Sequence, residues 1–262
     1  MVEHFWFLCR SFALSAIDRN TTWIFGCSSP LAQRLIEDLT SQTEVWCFGR
    51  TPPKNNFKFF ELNFAQPDAV ESVLRRAYAE QPPKGVVFCQ RYRPPPETSE
   101  IEAIQKGLVV ELGPLLSLLS LLEGSAAPLP PRSLVLLSSV AAKESHPDIP
   151  INYHILKAAT LAACRCLAPR LALHSIRLNC LVLGEFLKAP RHTYPDYKKR
   201  QFQNLERFTL EQRICSAEDI SKAIQFLLGV DATFFTGQEL TLDGGISLLG
   251  PESIIRGADL IL

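Results

Sequence analysis

The sequence predicts an α/β fold in which a mostly parallel sheet of seven strands has helices on both faces. From residue 21 onward, short apolar runs alternate with segments of helical length. The runs are hydrophobic along most of their length, which is typical of strands buried on both faces of a parallel sheet. The chain has 262 residues and no internal repeat or long linker, which indicates one domain over 21–262 after an N-terminal extension over 1–20.

The predicted elements alternate regularly along the chain. The strands are expected over 22–25, 44–48, 57–62, 85–89, 133–139, 175–183 and 239–242. The helices are expected over 30–40, 68–80, 99–122, 153–173 and 218–228. The first of these can begin at Pro30, because proline is well suited to the first helical turn. Between 184 and 213 the chain is polar, and no strand or helix is predicted there.

Turn residues and hydroxyls follow several of the predicted strands. Gly26 follows the first strand, and Gly49 with Arg50 follows the second. Ser138 and Ser139 end the fifth strand. Open parallel sheets bind ligands beyond the carboxyl ends of their strands, so these residues are expected at one ligand-binding edge.

Tyr153 and Lys157 are four residues apart in an alanine-rich segment, so a helix places their side chains on one face. A phenol is a poor acid at neutral pH, but a neighbouring ammonium group favours its ionised form and makes the hydroxyl a usable proton donor. Ser139 provides a hydroxyl that can hold the same substrate oxygen by a hydrogen bond. Ser139, Tyr153 and Lys157 together predict a site for a carbonyl or an alcohol.

The spacing alone does not decide the role of Tyr153. Tyr194 and Lys198 repeat it, but Pro195 lies between them and disfavours a regular helix, and no serine-bearing strand precedes that pair. Taken in isolation, Tyr153 fits a surface residue of an amphipathic helix as well as it fits a proton donor.

Composition and charge narrow the class of protein. A hydrophobic fraction of 47% and a charged fraction of 21% are typical of a soluble globular protein. Basic and acidic residues number 27 each, so no basic field indicates nucleic acid. The apolar run 4–8 is too short for a membrane span and has the wrong flanks for a signal peptide. Eight cysteines without a Cys-x-x-Cys spacing indicate reduced thiols in a cytoplasmic protein, and no metal site is predicted.

Several longer motifs follow one another along the chain. They are IFGCSSPLAQRLIEDL (24–39), FGR (48–50), ELNFAQPDAVESVL (61–74), LLSSV (136–140), YHILKAA (153–159), SIRLNCLVLGEF (175–186), SAEDISKAIQFLL (216–228) and FFTGQELTLDGG (234–245). In this order they resemble the short-chain dehydrogenase/reductase family over about 21–247. The resemblance implies a Rossmann-type, doubly wound fold, usually assembled into homodimers or homotetramers.

The resemblance also implies a role for each matching residue. Ser139 would bind the substrate oxygen, Tyr153 would act as general acid or base, and Lys157 would assist Tyr153 and hydrogen-bond the nicotinamide ribose. The residues expected to bind the cofactor are Gly26, Ser28, Ser29 and Leu31 at the phosphates, Asn63 at the adenine amino group, and Tyr153 with Lys157.

Arg50 bears on the choice of cofactor. A dehydrogenase that prefers NAD usually ends its second strand with a carboxylate, which binds the ribose 2′-hydroxyl. Here Gly49 takes that place, and the charge of Arg50 favours a 2′-phosphate. NADP is therefore the expected cofactor and NAD is less favoured, while the alternative for Arg50 is a solvated surface arginine.

Some positions depart from the family pattern. They are Pro30 and Ala32 in place of two glycines, Gln90 and Arg91 in place of Ala-Gly after the fourth strand, Glu111 in place of an asparagine, and Leu183 in place of a proline. Proline has no backbone N–H group, so Pro30 cannot donate a hydrogen bond to a phosphate. Glu111 adds negative charge close to Lys157. The loop over 143–150 is also one residue longer than is usual in the family.

These observations leave two functions open. The first is an NADP-dependent oxidoreductase that interconverts a carbonyl and an alcohol, most readily as a ketone reductase in a biosynthetic pathway acting on a small or carrier-linked substrate. The second is a catalytically weakened relative that serves as a binding or assembly subunit. The predicted Ser–Tyr–Lys set favours the first, and the departures at the cofactor turns favour the second.

Overall fold

The computed structural model describes residues 20–124, 132–209 and 211–250. Its strands are β1 (Thr21–Phe25), β2 (Glu44–Gly49), β3 (Lys58–Glu61), β4 (Gly85–Phe88), β5 (Arg132–Ser139), β6 (Ile176–Leu183), β7 (Phe186–Leu187), β8 (Cys215–Ser216) and β9 (Glu239–Leu242). Seven of them form a parallel sheet in the order β3-β2-β1-β4-β5-β6-β9, and β7 pairs with β8. The expected N-terminal extension lies outside the described residues, apart from Asn20.

Helices cover both faces of this sheet, which confirms the predicted doubly wound, Rossmann-type fold. The helices are α1 (Pro30–Leu39), α2 (Pro67–Glu80), α3 (Glu100–Glu123), α4 (Ile151–Ala172), α5 (Asp196–Glu206) and α6 (Ala217–Leu228). Alternate residues of β1 face opposite ways: Trp23 and Phe25 pack against α2, α3 and α4, whereas Ile24 packs against α1 and α6. The sheet therefore has a hydrophobic core on each side.

A row of aromatic residues fixes the register of the first three strands. Trp23 pairs with Trp46, and Phe25 pairs with Phe48, with ring centroids 5.9 and 4.8 Å apart. Phe48 pairs in turn with Phe60 at 4.8 Å. A shift of one residue would turn every one of these rings to the other face of the sheet. The pairing therefore holds the turns after β1 and β2 side by side at the carboxyl edge.

The segment 184–213 contains regular structure that its polar composition does not predict. β7 lies within it and α5 begins directly after Pro195, which is the N-cap residue. Phe202 is the one buried residue of α5, so the apolar periodicity that indicates a helix is nearly missing. Tyr194 lies outside this helix, and its hydroxyl accepts hydrogen bonds from the Lys188 and Ala189 amides. Tyr194 and Lys198 therefore do not share a helical face.

The long helix α3 is the one helix in the described ranges whose length and hydropathy would allow it to cross a membrane. In this fold it packs between α2 and α4. Leu115, Leu118 and Leu119 on its inner side are fully buried in the core. Leu108, Val109 and Leu116 on its other side are exposed, so burial in the core accounts for only part of its apolar composition.

A capping box begins α6 beside the loop that precedes it. The Ser216 side chain accepts a hydrogen bond from the Asp219 amide, and the Asp219 carboxylate accepts one from the Ser216 amide. Arg213 donates two further hydrogen bonds to the same carboxylate, at 2.6 and 3.0 Å. The hydrogen bonds from Arg213 and Ser216 hold the pKa of Asp219 well below its usual range.

This arrangement predicts an acid-dependent contribution to stability. A carboxylate whose pKa is lowered by folding stabilises the native state above the unfolded-state pKa, which is about 3.9 for aspartate, and that contribution is lost as the pH falls toward the folded-state value. In urea unfolding, the stability difference between the wild type and Asp219→Asn should be constant near neutral pH and shrink below about pH 4.

Asp68→Asn is the matched control, because Asp68 is an exposed first-turn aspartate of α2. It should change stability less than Asp219→Asn at neutral pH. A difference for Asp219→Asn that stays constant in acid would show that the Arg213 pair does not stabilise the fold.

Candidate active site

A cavity of about 920 Å³ lies at the carboxyl edge of the sheet. Its walls come from the segments after β4, β5 and β6, the first residues of α1 and α4, and the inner side of α5. Ser139, Tyr153 and Lys157 all line it, so the structure brings the three predicted residues together. The cavity is also where an open parallel sheet is expected to bind a ligand.

Tyr153 and Lys157 project from the first two turns of α4, which begins after Pro150. The Lys157 Nζ lies 5.6 Å from the centroid of the Tyr153 ring. Lys157 is buried, whereas Tyr153 is half-buried and reaches the cavity. The helical spacing read from the sequence thus gives two side chains that share one face.

The two serines at the end of β5 differ in what their hydroxyls do. Ser138 is buried, and its hydroxyl donates a 2.8 Å hydrogen bond to the Lys157 carbonyl oxygen, which ties β5 to α4. The Ser139 oxygen accepts a 3.3 Å hydrogen bond from the Ala141 amide. A hydroxyl that accepts in this way keeps its own proton for a further bond. Ser139 is therefore the serine whose hydroxyl is free to bind an oxygen in the cavity.

Lys157 forms a buried ion pair with Glu111 of α3. The Lys157 Nζ lies 2.8 Å from Glu111 Oε2, and only 7% and 3% of the two side chains are exposed. The sequence places charge at position 111, but the direct contact follows from the packing of α3 against α4. With the ammonium paired, less of its field is available to a phenolate at Tyr153 than an unpaired lysine would provide.

Glu111 also anchors the segment that follows β4. Its Oε1 accepts a 3.1 Å hydrogen bond from the Tyr92 amide, and its carbonyl oxygen accepts one of 3.0 Å from Gln90 Nε2. Each oxygen of the carboxylate therefore has one hydrogen-bond partner. Glu111 connects Lys157 of α4 to the segment after β4 that lines the cavity.

The expected phosphate-binding residues are divided between the cavity and the surface next to it. Ser29 and Leu31 line the cavity, and the Ser29 side chain caps α1 by accepting a hydrogen bond from the Ala32 amide. The helix N-terminus there is a favourable place for an anion, although Pro30 contributes no N–H group. Gly26 and Ser28 lie outside the lining, and Ser28 is exposed.

Gly26 has a backbone φ of +79°, which favours glycine. A Cβ atom at this position would lie 2.6 Å from the backbone of Gln90. The turn after β1 and the segment after β4 are therefore in direct contact.

The expected adenosine-binding residues lie farther along the same edge. Arg50 is exposed at the end of β2, and the Cys27 thiol donates to the Thr51 carbonyl oxygen at 3.5 Å, so the two turns touch. Asn63 is exposed after β3, and its side-chain oxygen accepts a 3.1 Å hydrogen bond from the Ala65 amide. Neither Arg50 nor Asn63 lines the cavity.

Cys89 is a cavity residue that has no predicted role. Burial raises the pKa of its thiol to about 12, so it stays protonated at neutral pH and is a poor nucleophile. The seven cysteines in the described ranges are all free thiols, and these ranges contain no cluster of metal-binding side chains. Cys215 also lines the cavity, and burial raises the pKa of its thiol to about 11.

The resemblance places the segment 184–210 at the substrate pocket, and residues of this segment do line the cavity; the sequence did not predict that they form the helix α5. Lys198, Gln201 and Asn204 of this helix line the cavity opposite α4. The signals available for its start were Pro195 directly before the helix and Asp196 in its first turn, and Phe202 is its one buried residue.

The parallel sheet in the order β3-β2-β1-β4-β5-β6-β9, with helices on both faces, is a Rossmann-type α/β fold. Tyr153 and Lys157 lie on one helical face beside the cavity at the carboxyl edge of this sheet. A family model described as enoyl-(acyl carrier protein) reductase, of the short-chain dehydrogenase type, matches residues 111–247, slightly more than half of the chain. The chain therefore belongs to the short-chain dehydrogenase/reductase family.

Curated relatives match over part of their length. Dehydrogenase/reductase SDR family member 4 from Homo sapiens is 30% identical over 113 residues, which are 43% of this chain and 40% of that protein. Tropinone reductase-like 3 from Erythroxylum coca is 30% identical over 116 residues, 43% of each protein. The alignments thus span about two fifths of the relatives.

Solved structures share the fold over most of the chain. A short-chain dehydrogenase from Leptospira borgpetersenii with bound NAD+ has a TM-score of 0.74 at 17% identity, covering 90% of this chain and 98% of that one. ElxO with bound NADP has a TM-score of 0.71 at 17% identity, covering 88% and 100%. At these identities the similarity shows the fold.

The buried ion pair predicts strong coupling between Glu111 and Lys157. Removing one partner leaves the other charge buried without compensation, so Glu111→Gln and Lys157→Met should each lower the free energy of unfolding by about 3 kcal/mol. The double variant should lose less than the sum of the two, by at least about 1 kcal/mol. Urea unfolding of the four proteins measures this coupling.

The exposed pair Glu102–Lys106 of α3 provides the control, because both side chains are about half exposed. Its coupling, measured with Glu102→Gln and Lys106→Met, should be much smaller. Additive losses at Glu111 and Lys157 would contradict the ion pair as a stabilising contact.

Proposed function

We propose that this chain is an NADP-dependent oxidoreductase that interconverts a carbonyl and an alcohol, acting as a ketone reductase in a biosynthetic pathway. The observation that carries the proposal is that Ser139, Tyr153 and Lys157 line one cavity at the carboxyl edge of the sheet. Membership of the short-chain dehydrogenase/reductase family supports it. The substrate would be a small or carrier-linked carbonyl compound, and the protein would work in the cytoplasm as a homodimer or homotetramer.

The residues of the cavity have distinct tasks in this mechanism. Ser139 donates its free hydroxyl proton in a hydrogen bond to the substrate oxygen. Tyr153 transfers its phenolic proton to the same oxygen as the carbonyl carbon is reduced, and takes it back when an alcohol is oxidised. Lys157 stabilises the phenolate that forms when Tyr153 gives up its proton. Glu111 holds the ammonium group of Lys157 in place at a distance of 2.8 Å. When bound, a nicotinamide cofactor supplies or accepts the hydride.

The residues present fit a dinucleotide along this edge. The capped N-terminus of α1 and the Ser–Tyr–Lys set both belong to the lining of the cavity. Ser29 and Leu31 would hold the phosphates inside the cavity, with Gly26 and Ser28 in the same turn. Arg50 and Asn63 would hold the adenosine end, where the turns after β1 and β2 touch. Tyr153 and Lys157 would hold the nicotinamide ribose.

The alternative is a binding or assembly subunit of the same fold without turnover. Two observations favour it: Pro30 removes one amide from the N-terminus of α1, and the ammonium of Lys157 is already paired with Glu111. We favour the oxidoreductase, because the hydroxyls of Ser139 and Tyr153 both remain available to a molecule in the cavity.

The proposed proton donor is tested by Tyr153→Phe. Loss of a positioned general acid lowers turnover by about 100-fold or more, so NADPH oxidation with a panel of ketones should fall by that factor. Tyr197→Phe, on the exposed side of α5, is the control and should stay close to the wild type. If Tyr153→Phe stays within a few-fold of the wild type, Tyr153 is not the acid.

The proposed cofactor preference is tested by Arg50→Gln. A charge-assisted contact to the 2′-phosphate should be worth about tenfold or more in affinity, so the dissociation constant for NADPH should rise by that factor while that for NADH changes little. Nicotinamide fluorescence measures both. Arg76→Gln, a change of equal charge on α2, should leave NADPH binding unaltered.

Two other results would count against the proposal. Equal weakening of NADPH and NADH by Arg50→Gln would contradict a role in recognising the 2′-phosphate. A wild-type protein that binds neither cofactor at millimolar concentration would favour the non-catalytic subunit.

A further inference from the structure

Arg91 occupies an unusual position at the wall of the cavity. Its guanidinium carbon lies 4.3 Å from the centroid of the Tyr153 ring, so the guanidinium group rests against the proposed proton donor. Arg91 is exposed and belongs to the cavity lining. A cation at this distance is attracted to the aromatic face, which holds its planar fork near the phenol.

The backbone on both sides of Arg91 is fixed to α3. Gln90 donates to the Glu111 carbonyl oxygen at 3.0 Å, and the Tyr92 amide donates to the Glu111 carboxylate at 3.1 Å. Arg91 therefore extends from a segment that is held at both neighbouring residues. The direction of its side chain toward the cavity follows from this anchoring.

Among the described residues, Arg91 has no carboxylate partner; Arg93 and Lys188 of the cavity lack one too, but Arg91 is the one of these three that contacts the ring of Tyr153. Lys157 pairs with Glu111, Lys198 with Glu185 and Arg213 with Asp219. Within residues 20–124, 132–209 and 211–250, no carboxylate forms an ion pair with Arg91. Its guanidinium group carries donors in a fork that matches a carboxylate or a phosphate.

A second group in the same place also lacks a partner. The side-chain oxygen of Gln90 is buried without a hydrogen bond among the described residues, and only 8% of Gln90 is exposed. A buried acceptor without a partner costs free energy. Because this oxygen is closed to solvent, Arg91 is the group that a molecule in the cavity would meet first.

We propose that Arg91 binds an oxyanion inside the cavity, against the ring of Tyr153. The anion has one of two sources: a carboxylate close to the carbonyl group of the substrate, or the diphosphate of the dinucleotide. That the anion belongs to a substrate or to a dinucleotide rests on the proposed function, whereas anion binding by Arg91 does not. Either group brings a negative charge to Arg91. A neutral ligand would leave the guanidinium group without an ion-pair partner.

Calorimetric titration with two probes tests this proposal without turnover. The probes are pyruvate, which carries a carboxylate beside a carbonyl, and inorganic pyrophosphate. Arg91→Gln should weaken binding of at least one of them by about tenfold or more, and Arg91→Lys should recover part of the loss because it keeps the charge but not the fork. A loss confined to pyruvate identifies the substrate carboxylate, and a loss confined to pyrophosphate identifies the cofactor diphosphate.

Arg93→Gln is the matched control, because Arg93 lines the same cavity and is exposed. It removes an equal charge without the ring contact and should change the affinities by about threefold or less. Unchanged binding in Arg91→Gln, an equal loss in Arg93→Gln, or a wild type that binds neither probe at millimolar concentration would overturn the proposal. These results are independent of the Tyr153→Phe experiment, so failure of one proposal is distinguishable from failure of the other.

Discussion

The buried contact between Lys157 and Glu111 connects the parts of the molecule on which the site depends. Lys157 comes from α4, Glu111 comes from α3, and the same carboxylate accepts the amide of Tyr92 after β4. Burying two charges carries a large desolvation penalty, which close pairing and further hydrogen bonds offset. One carboxylate therefore ties Lys157 of α4 to the segment that carries Arg91.

Much of the fold follows from the sequence because its strands and helices carry strong local signals. The buried strands are hydrophobic on both faces, and α1 begins at Pro30, where the sequence predicts it. The helix α5 gives no such hydrophobic signal, since a helix that buries only Phe202 has almost no apolar period. Its formation depends on Pro195, which ends the preceding extended segment, and on packing that no local pattern encodes.

The candidate site was predictable to the extent that it depends on backbone positions. Helical spacing places Tyr153 and Lys157 on one face, and the end of β5 places Ser139 in the lining of the same cavity. Contacts made by long side chains across elements were not predictable in the same way. The ion pair of Lys157 and the stacking of Arg91 on Tyr153 depend on how α3 and the segment after β4 pack, which is set by tertiary structure.

Gly26 lies so close to the Gln90 backbone that a glycine in this turn has a structural reason apart from nucleotide binding. A side chain at this position would be strained by the left-handed backbone, and its Cβ atom would lie 2.6 Å from the Gln90 backbone, whether or not a nucleotide is bound. Retention of this glycine in a descendant that had lost its cofactor would thus be no sign of surviving enzymatic activity. The atoms that a Cβ would meet belong to the backbone of Cys89 and Gln90, so no change of side chain at position 90 would make room for one.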